Sequence, residues 1–371
     1  MSRTATVLAA VAAVATACQL AGIRLDAHRT AASPYTFYRD VLPIVEARCV
    51  RCHSDTSVSG LSLANFESAR QSSWPMRQRL MRGHMPPWFA DGPFRSPDAV
   101  TARELNVLLT WAAGGAPEGK PLERTVSHPT TWAAGTPDQI VTMPSPFTPT
   151  LLGEQVHEVV LPGARIGGRS IRAVDLKPGA PSIVRRAEIV ARRGQVEQVL
   201  GLWQPGERPA VLPLNAGFAI PRQAELLLRV HYKRAFGSAA VSDRSEVGIY
   251  FADPKASAIR TVEIETEAWR AMSRTITSPT RVVAIRPLTG PAGTQISIAI
   301  IRADGSTHAL ARLEIQPAWK RRYVLVDAVP LQVGDRIVTS VLESQAVLWS
   351  QLTAERSDPK STAKLIFEVI D

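Results

Sequence analysis

Two cysteines separated by two residues, with a histidine directly after the second, place the strongest constraint on this chain. They form the run Cys49-Val50-Arg51-Cys52-His53. Cys49 and Cys52 fall about one helical turn apart, so both thiols can reach the two vinyl groups of one porphyrin. His53 then lies under the iron as an axial ligand. The C-x-x-C-H pattern therefore predicts covalent attachment of one haem c.

The same motif has three other interpretations. A zinc site would need a second Cys or His pair at a suitable spacing, and no cysteine follows Cys52. A thioredoxin-like redox motif would need a βαβ context, whereas the flanking sequence has helical periodicity. A disulfide between Cys49 and Cys52 stays open as an alternative.

A methionine braced by prolines supplies the second candidate iron ligand. It lies in Gly83-His84-Met85-Pro86-Pro87, where each proline fixes its own φ and restricts the residue before it. Such a stiffened loop suits a thioether held against the far haem face, and Met/His ligation raises the reduction potential. The predicted iron ligands are therefore His53 and Met85. Core packing of Met85, or ligation by His84 instead, are the alternatives.

The first residues have the pattern of an export signal. Residues 1–27 contain Arg3, then an apolar Ala/Val/Leu run that is too short for an ordinary membrane-spanning helix. Ala15-Thr16-Ala17-Cys18 loosely resembles a lipoprotein box, which predicts either a lipid anchor on Cys18 or simple cleavage near Ala17 or Ala27. Both outcomes place the protein in the periplasm or another extracytoplasmic compartment, free or as a membrane-anchored lipoprotein. No other stretch approaches the ~20 apolar residues that span a bilayer.

The net charge of the chain bears on the class of macromolecule that it binds. The formal net charge of +10 would suit nucleic acid, but an exported protein has little access to it. We therefore expect no nucleic-acid partner. A redox partner protein in the periplasm or at the membrane surface is the predicted one.

The predicted fold class is multidomain: a small all-α cytochrome c domain followed by two all-β sandwich or jelly-roll domains. The cytochrome c domain is assigned to residues 34–120, with Pro43 near a helix start, a helix over 67–82 and another over 98–113. Asp98 or Thr101 can cap that last helix, and Gly114-Gly115 can end it.

Beyond a linker at 121–137 the sequence changes to short apolar or alternating runs separated by turn residues. Asp304-Gly305 between two such runs is a strong hairpin signal. About 235 residues suffice for two domains, here assigned to 138–255 and 256–371, with a break near 253–258. Examples of the runs are 183–191, 196–203, 224–232, 295–301, 308–315, 336–342 and 365–370.

Several stretches together resemble one bacterial family, a cytochrome c domain fused to a copper type II ascorbate-dependent monooxygenase-like module. Relatives of that module include the peptidylglycine hydroxylating monooxygenases. Beside the haem motif, the resemblance rests on Phe37-Tyr38-Arg39-Asp40-Val41-Leu42-Pro43-Ile44, Met85-Pro86-Pro87-Trp88-Phe89-Ala90-Asp91, Thr110-Trp111-Ala112-Ala113-Gly114-Gly115-Ala116-Pro117, Trp203-Gln204-Pro205-Gly206, Val230-His231-Tyr232 and Val247-Gly248-Ile249-Tyr250-Phe251-Ala252.

The copper ligands that the resemblance implies are largely missing. Its first site needs a His-His pair plus the histidine of a Val-His-Tyr strand; His231 matches, but Arg185-Arg186 stand at the pair. Its second site needs His-x-His and a later Met, whereas residues 285–290 hold no His and no Met follows Met272. Guanidinium has no lone pair to donate. Copper is therefore not expected. His231 is the one residue that still matches the copper ligands implied by the resemblance.

The sequence predicts a one-haem electron-transfer protein whose β-module binds a partner or a ligand, or supports the haem domain. It is not expected to be a copper monooxygenase, and no catalytic residues are assigned. The rival hypotheses are a monooxygenase-type oxidoreductase that uses copper and haem, and a binding or sensor protein in which the haem is structural.

Overall fold

The computed structural model describes residues 32–54, 61–96, 99–121, 132–234, 239–267, 271–342 and 362–371. The predicted export signal at 1–27, with Cys18, lies outside these residues, as does the candidate cap Asp98. Within the described ranges, no helix combines the length and apolar character needed to cross a membrane.

The helices lie in the first part of the chain. A π-helical turn, Phe37–Val41, leads into α1, Leu42–Arg48, which carries Pro43 in its first turn. The predicted helix over 67–82 is two helices, because the first ends at Gln71 and Ser72 separates it from the second. The remaining bounds are α2 Phe66–Gln71, α3 Ser73–Met81 and α4 Ala102–Ala113.

Local sequence explains where α4 begins and ends. Thr101 Oγ1 accepts a hydrogen bond from Glu104 N, and the Glu104 side chain accepts one from Thr101 N, forming a capping box. Gly114 follows the last turn. The helix buries Leu108 and Trp111 completely, against Phe37 of the π-helical turn. These residues belong to an apolar cluster that also includes residues of α1, α2 and α3.

Strands make up most of the rest. Their bounds are β1 Ala90–Asp91, β2 Gln139–Thr142, β3 Gly153–Val160, β4 Ser170–Lys177, β5 Val184–Arg193, β6 Val196–Trp203, β7 Ala216–Ala219, β8 Glu225–Arg234, β9 Glu246–Phe251, β10 Ser257–Ala258, β11 Arg260–Thr266, β12 Met272–Thr275, β13 Thr280–Thr289, β14 Gln295–Ile301, β15 Thr307–Glu314, β16 Tyr323–Leu331, β17 Arg336–Leu342 and β18 Ala363–Ile370.

These strands form four sheets that pack in two pairs. The orders are β10-β7-β4-β9-β2 and β3-β8-β5-β6 in the first pair, and β1-β15-β14-β17-β12 and β11-β18-β13-β16 in the second. Each pair encloses an apolar cluster. Val283, Val324 and Ile370 of the second pair belong to the cluster of the first, so the two pairs share apolar contacts.

The expected fold class is wrong. The described residues are mostly β, with 43% strand and 13% helix, and contain no sizeable all-α cytochrome c domain. The helical part is also not separate, because β1 within it pairs with β15, and Phe94 forms a bridge with Leu325. Apolar periodicity located the helices but could not show that residues between them complete a distant sheet.

Candidate functional site

A cavity of about 940 Å³ lies where the helices meet both pairs of sheets. Its lining is mainly apolar, which is typical of a site that buries a large organic group. Residues from α1, α3 and α4 form one side, and segments 205–211 and 319–324 form the other. Representative apolar lining residues are Leu61, Leu63, Met76, Leu80, Leu105, Leu108, Trp88, Val211 and Trp319.

The Cys-x-x-Cys-His motif faces this cavity. Helix α1 ends at Arg48, so the motif follows the helix rather than lying within it. Backbone hydrogen bonds of 3.0 Å from Cys52 N and 2.8 Å from His53 N to Cys49 O continue one helical turn. That turn brings the side chains of Cys49, Cys52 and His53 to the cavity wall. Within the described part of the chain, neither cysteine takes part in a disulfide.

Burial favours the uncharged forms of Cys49 and His53. It raises the pKa of Cys49 to about 12, with further upward contributions from Cys52 and Glu104, while Arg48 opposes them. Burial also lowers the pKa of His53, and the Leu61 backbone opposes that shift in part. The His53 imidazole is therefore neutral near pH 7, the form that binds metals. Its Nδ1 is buried and has no hydrogen-bond partner among the described residues.

Met85 and His84 point to different surroundings. Met85 lines the cavity and packs against the helical apolar cluster. His84 is exposed, with its Nδ1 3.5 Å from Nη1 of Arg79. The structure thus brings Met85 into one cavity with Cys49, Cys52 and His53, and leaves His84 outside it.

The β-sheet region supplies a wall that sequence patterns did not reveal. Cys52 Sγ donates a 3.0 Å hydrogen bond to Pro205 O. A Cβ on Gly206 would lie 2.2 Å from Cys52 Sγ, so this loop touches the motif directly. The sequence signal for this wall was the stretch Trp203-Gln204-Pro205-Gly206, which is part of the family resemblance. Nothing local in it indicates contact with a residue 153 positions earlier.

The cavity is strongly basic. Seven arginines line it, whereas Glu207 is the single acidic residue among the described lining residues. Arg48 pairs with Glu104 at 3.3 Å, Arg321 with Glu207 at 2.6 Å and Arg322 with Glu368 at 2.7 Å. The excess positive charge favours a ligand that carries carboxylates. The seven are Arg48, Arg51, Arg79, Arg95, Arg208, Arg321 and Arg322.

His231 does not line this cavity. It lies on β8, and across the sheet its register partner on β5 is Arg186. Arg185, also on β5, is exposed where the pairing of β5 with β8 is irregular. Burial lowers the pKa of His231, and Arg186 lowers it further. A guanidinium thus lies beside the histidine where the resemblance would require imidazoles.

Residues 285–290, where the resemblance would place the second copper site, carry a buried arginine. Arg286 Nε lies 3.9 Å from Glu368, which Arg322 also contacts. All three side chains are at most a tenth exposed. Burial and Arg322 lower the pKa of Arg286. Throughout the described part of the chain, no three His, Cys, Asp or Glu side chains cluster closely enough to hold a metal ion.

Comparisons with known proteins add little. No protein-family model matches this chain, and no curated protein matches it. Among solved structures, it is similar to the major capsid protein P2 from Bacteriophage PM2, at 12% identity and a TM-score of 0.30. That match covers 62% of this chain and 96% of the capsid chain. A similarity of this size establishes neither a shared fold nor a shared function.

Proposed function

We propose that this chain is an exported c-type haem protein that carries single electrons. The observation that supports this most is the placement of Cys49, Cys52, His53 and Met85 on one apolar cavity of about 940 Å³. Two thiols, one imidazole and one thioether are the groups needed to attach one haem c and to ligate its iron on both faces. When bound, the haem would supply one-electron chemistry through its Fe(II) and Fe(III) states.

The chemistry of these side chains fits that group. Burial holds His53 neutral, so one ring nitrogen is available to iron without loss of a proton. Cys49 and Cys52 form no disulfide with each other, and both reach the cavity. Met85 contributes a soft, neutral sulfur from the loop that also carries Pro86 and Pro87. His84, the alternative ligand, is exposed and does not line the cavity.

The arginines of the cavity suit the two propionates of a haem. Guanidinium binds carboxylate through two parallel hydrogen bonds, so it fixes orientation as well as charge. Arg95 and Arg208 both line the cavity, from segments far apart in the chain. A zinc ion or a disulfide at the cysteines would neither fill this apolar cavity nor pair with its arginines.

For the β-sheet region we propose a monooxygenase-like origin with lost copper chemistry. His231 has Arg186 as its cross-strand neighbour, and two like unit charges about 4 Å apart repel by roughly 4 kcal/mol at an effective dielectric of 20. A copper ion beside His231 would meet that repulsion. The proposed partner remains a redox protein outside the cytoplasm, with no nucleic acid involved.

One experiment tests the haem proposal directly. The full chain is produced in a host that attaches haem c, and the purified protein is extracted with acidified organic solvent. Haem is expected to stay with the wild-type protein and to be absent from the Cys49→Ala, Cys52→Ala double variant. Complete extraction of haem from the wild type would contradict covalent attachment. Metal analysis of the same sample shows whether iron is present at one per chain and whether copper is bound.

A further inference from the structure

Building on the proposed haem site, we propose that residues 204–208 of the β-sheet region close the cavity at Cys52 and keep water from that side of the haem. Gly206 is the positioning residue of this closure. It acts through Cys52 and the adjoining backbone and does not itself contact the iron. The β-sheet region is then part of the haem site and sets its reduction potential.

The contact at Gly206 leaves no room for a side chain. A Cβ there would lie 2.2 Å from Cys52 Sγ, 2.6 Å from the Arg51 carbonyl carbon and 2.6 Å from Cys52 N. Two of these neighbours are backbone atoms, which cannot rotate away. The backbone of the loop therefore rests directly on the turn that carries the haem motif.

Van der Waals contact, rather than hydrogen bonding, has to hold the closure once haem is attached. The Cys52 thiol donates to Pro205 O at 3.0 Å. A thioether has no S–H, so attachment removes this donor. The close approach of Gly206 does not depend on the proton and survives attachment.

The loop is anchored on both sides of this contact. Gln204 is buried, and its Nε2 donates to Lys320 O at 3.2 Å. Glu207 pairs with Arg321 at 2.6 Å, and the Glu207 N–H donates to Gln204 O at 3.0 Å. The two anchors connect the loop to the segment just before β16, which lines the same cavity. Segments from both pairs of sheets thus hold the loop against the motif.

Closure of the cavity at Cys52 is expected to raise the reduction potential of the haem. Oxidised haem iron carries one more positive charge than reduced iron, and burial disfavours the more charged form of a group. Solvent exclusion is one of the levers by which a protein tunes haem potential. Opening the Cys52 side to water is expected to stabilise the oxidised state and lower the potential.

Two glycines flanking β6 allow a matched test in the full chain. Gly206 has φ +74°, and Gly194, at the other end of the strand, has φ +59° with open space for 4 Å around the position that a Cβ would take. Alanine at either position meets the same left-handed backbone strain. Only Gly206→Ala adds a collision with Cys52. Differences between the two variants therefore report the closure rather than the strain.

The measurement is a redox titration of each haem-loaded variant. Gly194→Ala is expected to keep the wild-type potential. Gly206→Ala is expected to retain covalent haem but to shift its oxidation equilibrium about tenfold toward Fe(III), which is about 59 mV for one electron. Equal potentials in the two variants would overturn the proposed closure while leaving haem binding intact. A wild-type protein without covalent haem would instead refute the proposed function.

If Gly206→Ala does not fold, Gln204→Ala replaces it. This change removes the neutral anchor to Lys320 O without altering charge in the cavity. A lower potential than in Gly194→Ala supports the closure, and an unchanged potential contradicts it.

Discussion

Replacement of Arg322 by methionine is expected to destabilise the protein strongly. Arg322 lies just before β16 and is 5% exposed. Its Nε donates to Glu368 at 2.9 Å, Nη1 to Leu200 O at 2.7 Å and Nη2 to Val199 O at 3.0 Å. Its guanidinium also lies 4.8 Å from the ring centroid of Phe218. One side chain thus connects β18 to strands of the other pair of sheets.

The size of the effect follows from what the substitution leaves behind. Methionine fills most of the volume but donates no hydrogen bond, so the 1% exposed Glu368 loses its close cation. Removing one partner of a buried ion pair typically costs about 3–5 kcal/mol, because the remaining charge is uncompensated. Arg286 cannot replace Arg322, since its Nε is 3.9 Å from Glu368 and has no hydrogen-bond partner among the described residues.

Arg286→Met supplies the matched control. It removes a buried cation whose pKa is already lowered by burial and by Arg322. We expect it to change the free energy of unfolding by less than about 1 kcal/mol, or to stabilise the protein. Urea unfolding followed by tryptophan fluorescence and by circular dichroism measures both variants. Equal losses for Arg286→Met and Arg322→Met would refute the view that the hydrogen bonds of Arg322, rather than the mere presence of two cations, hold Glu368.

Three further predictions concern the site and its supports. Met85→Ala is expected to abolish the weak far-red band of Fe(III)–thioether ligation and to lower the potential, whereas His84→Ala leaves both unchanged; the reverse pattern in spectra and titrations would assign the ligand to His84. Thr101→Ala is expected to lower the free energy of unfolding by about 1 kcal/mol through loss of the α4 cap, measured by urea titration against Thr307→Ala on the exposed surface. The full chain is expected to retain no copper after incubation with Cu(II) or Cu(I) and desalting; about one or two coppers per chain, lost in His231→Ala, would restore the monooxygenase hypothesis.

Local sequence signals located many elements well. The run at 196–203 is β6, the run at 295–301 is β14, and Asp304-Gly305 joins β14 to β15 as an antiparallel pair. Thr101, one of the two predicted caps, is the N-cap of α4, and the structure adds the capping box with Glu104. These features depend on residues a few positions apart, which is the range over which periodicity and turn chemistry act.

The fold class failed because it depends on contacts that local patterns do not encode. Ala90 and Asp91 look like part of a proline-rich loop, yet they pair with Leu313 and Arg312. β10 lies within the expected break at 253–258 and pairs in parallel with β7. A two-residue strand has too few residues to show an alternating pattern. Its formation depends on the edge that another part of the chain offers.

The candidate site likewise has one part that local sequence predicts and one part that depends on long-range contacts. The spacing of Cys49, Cys52 and His53 predicts them as haem ligands, and the adjoining prolines predict Met85; the structure places all four on one cavity. Local patterns could not reveal the wall at 204–208 or the role of Arg322, because each forms hydrogen bonds with residues more than 100 positions away. The sequence of a motif reports its own chemistry, whereas the surroundings that tune it come from the tertiary fold.

Those surroundings act on the proposed haem in one direction. Ligation by the Met85 thioether would favour Fe(II), and closure of the cavity at Cys52 would disfavour the extra charge of Fe(III). The excess of arginines over the acidic residues that line the cavity or pair with its arginines adds a positive potential. Because all three effects favour reduced iron, we expect a high-potential protein that accepts electrons readily. A partner that delivers them would approach a chain of net charge +10, so its docking face is expected to be acidic and its association rate to fall as salt rises.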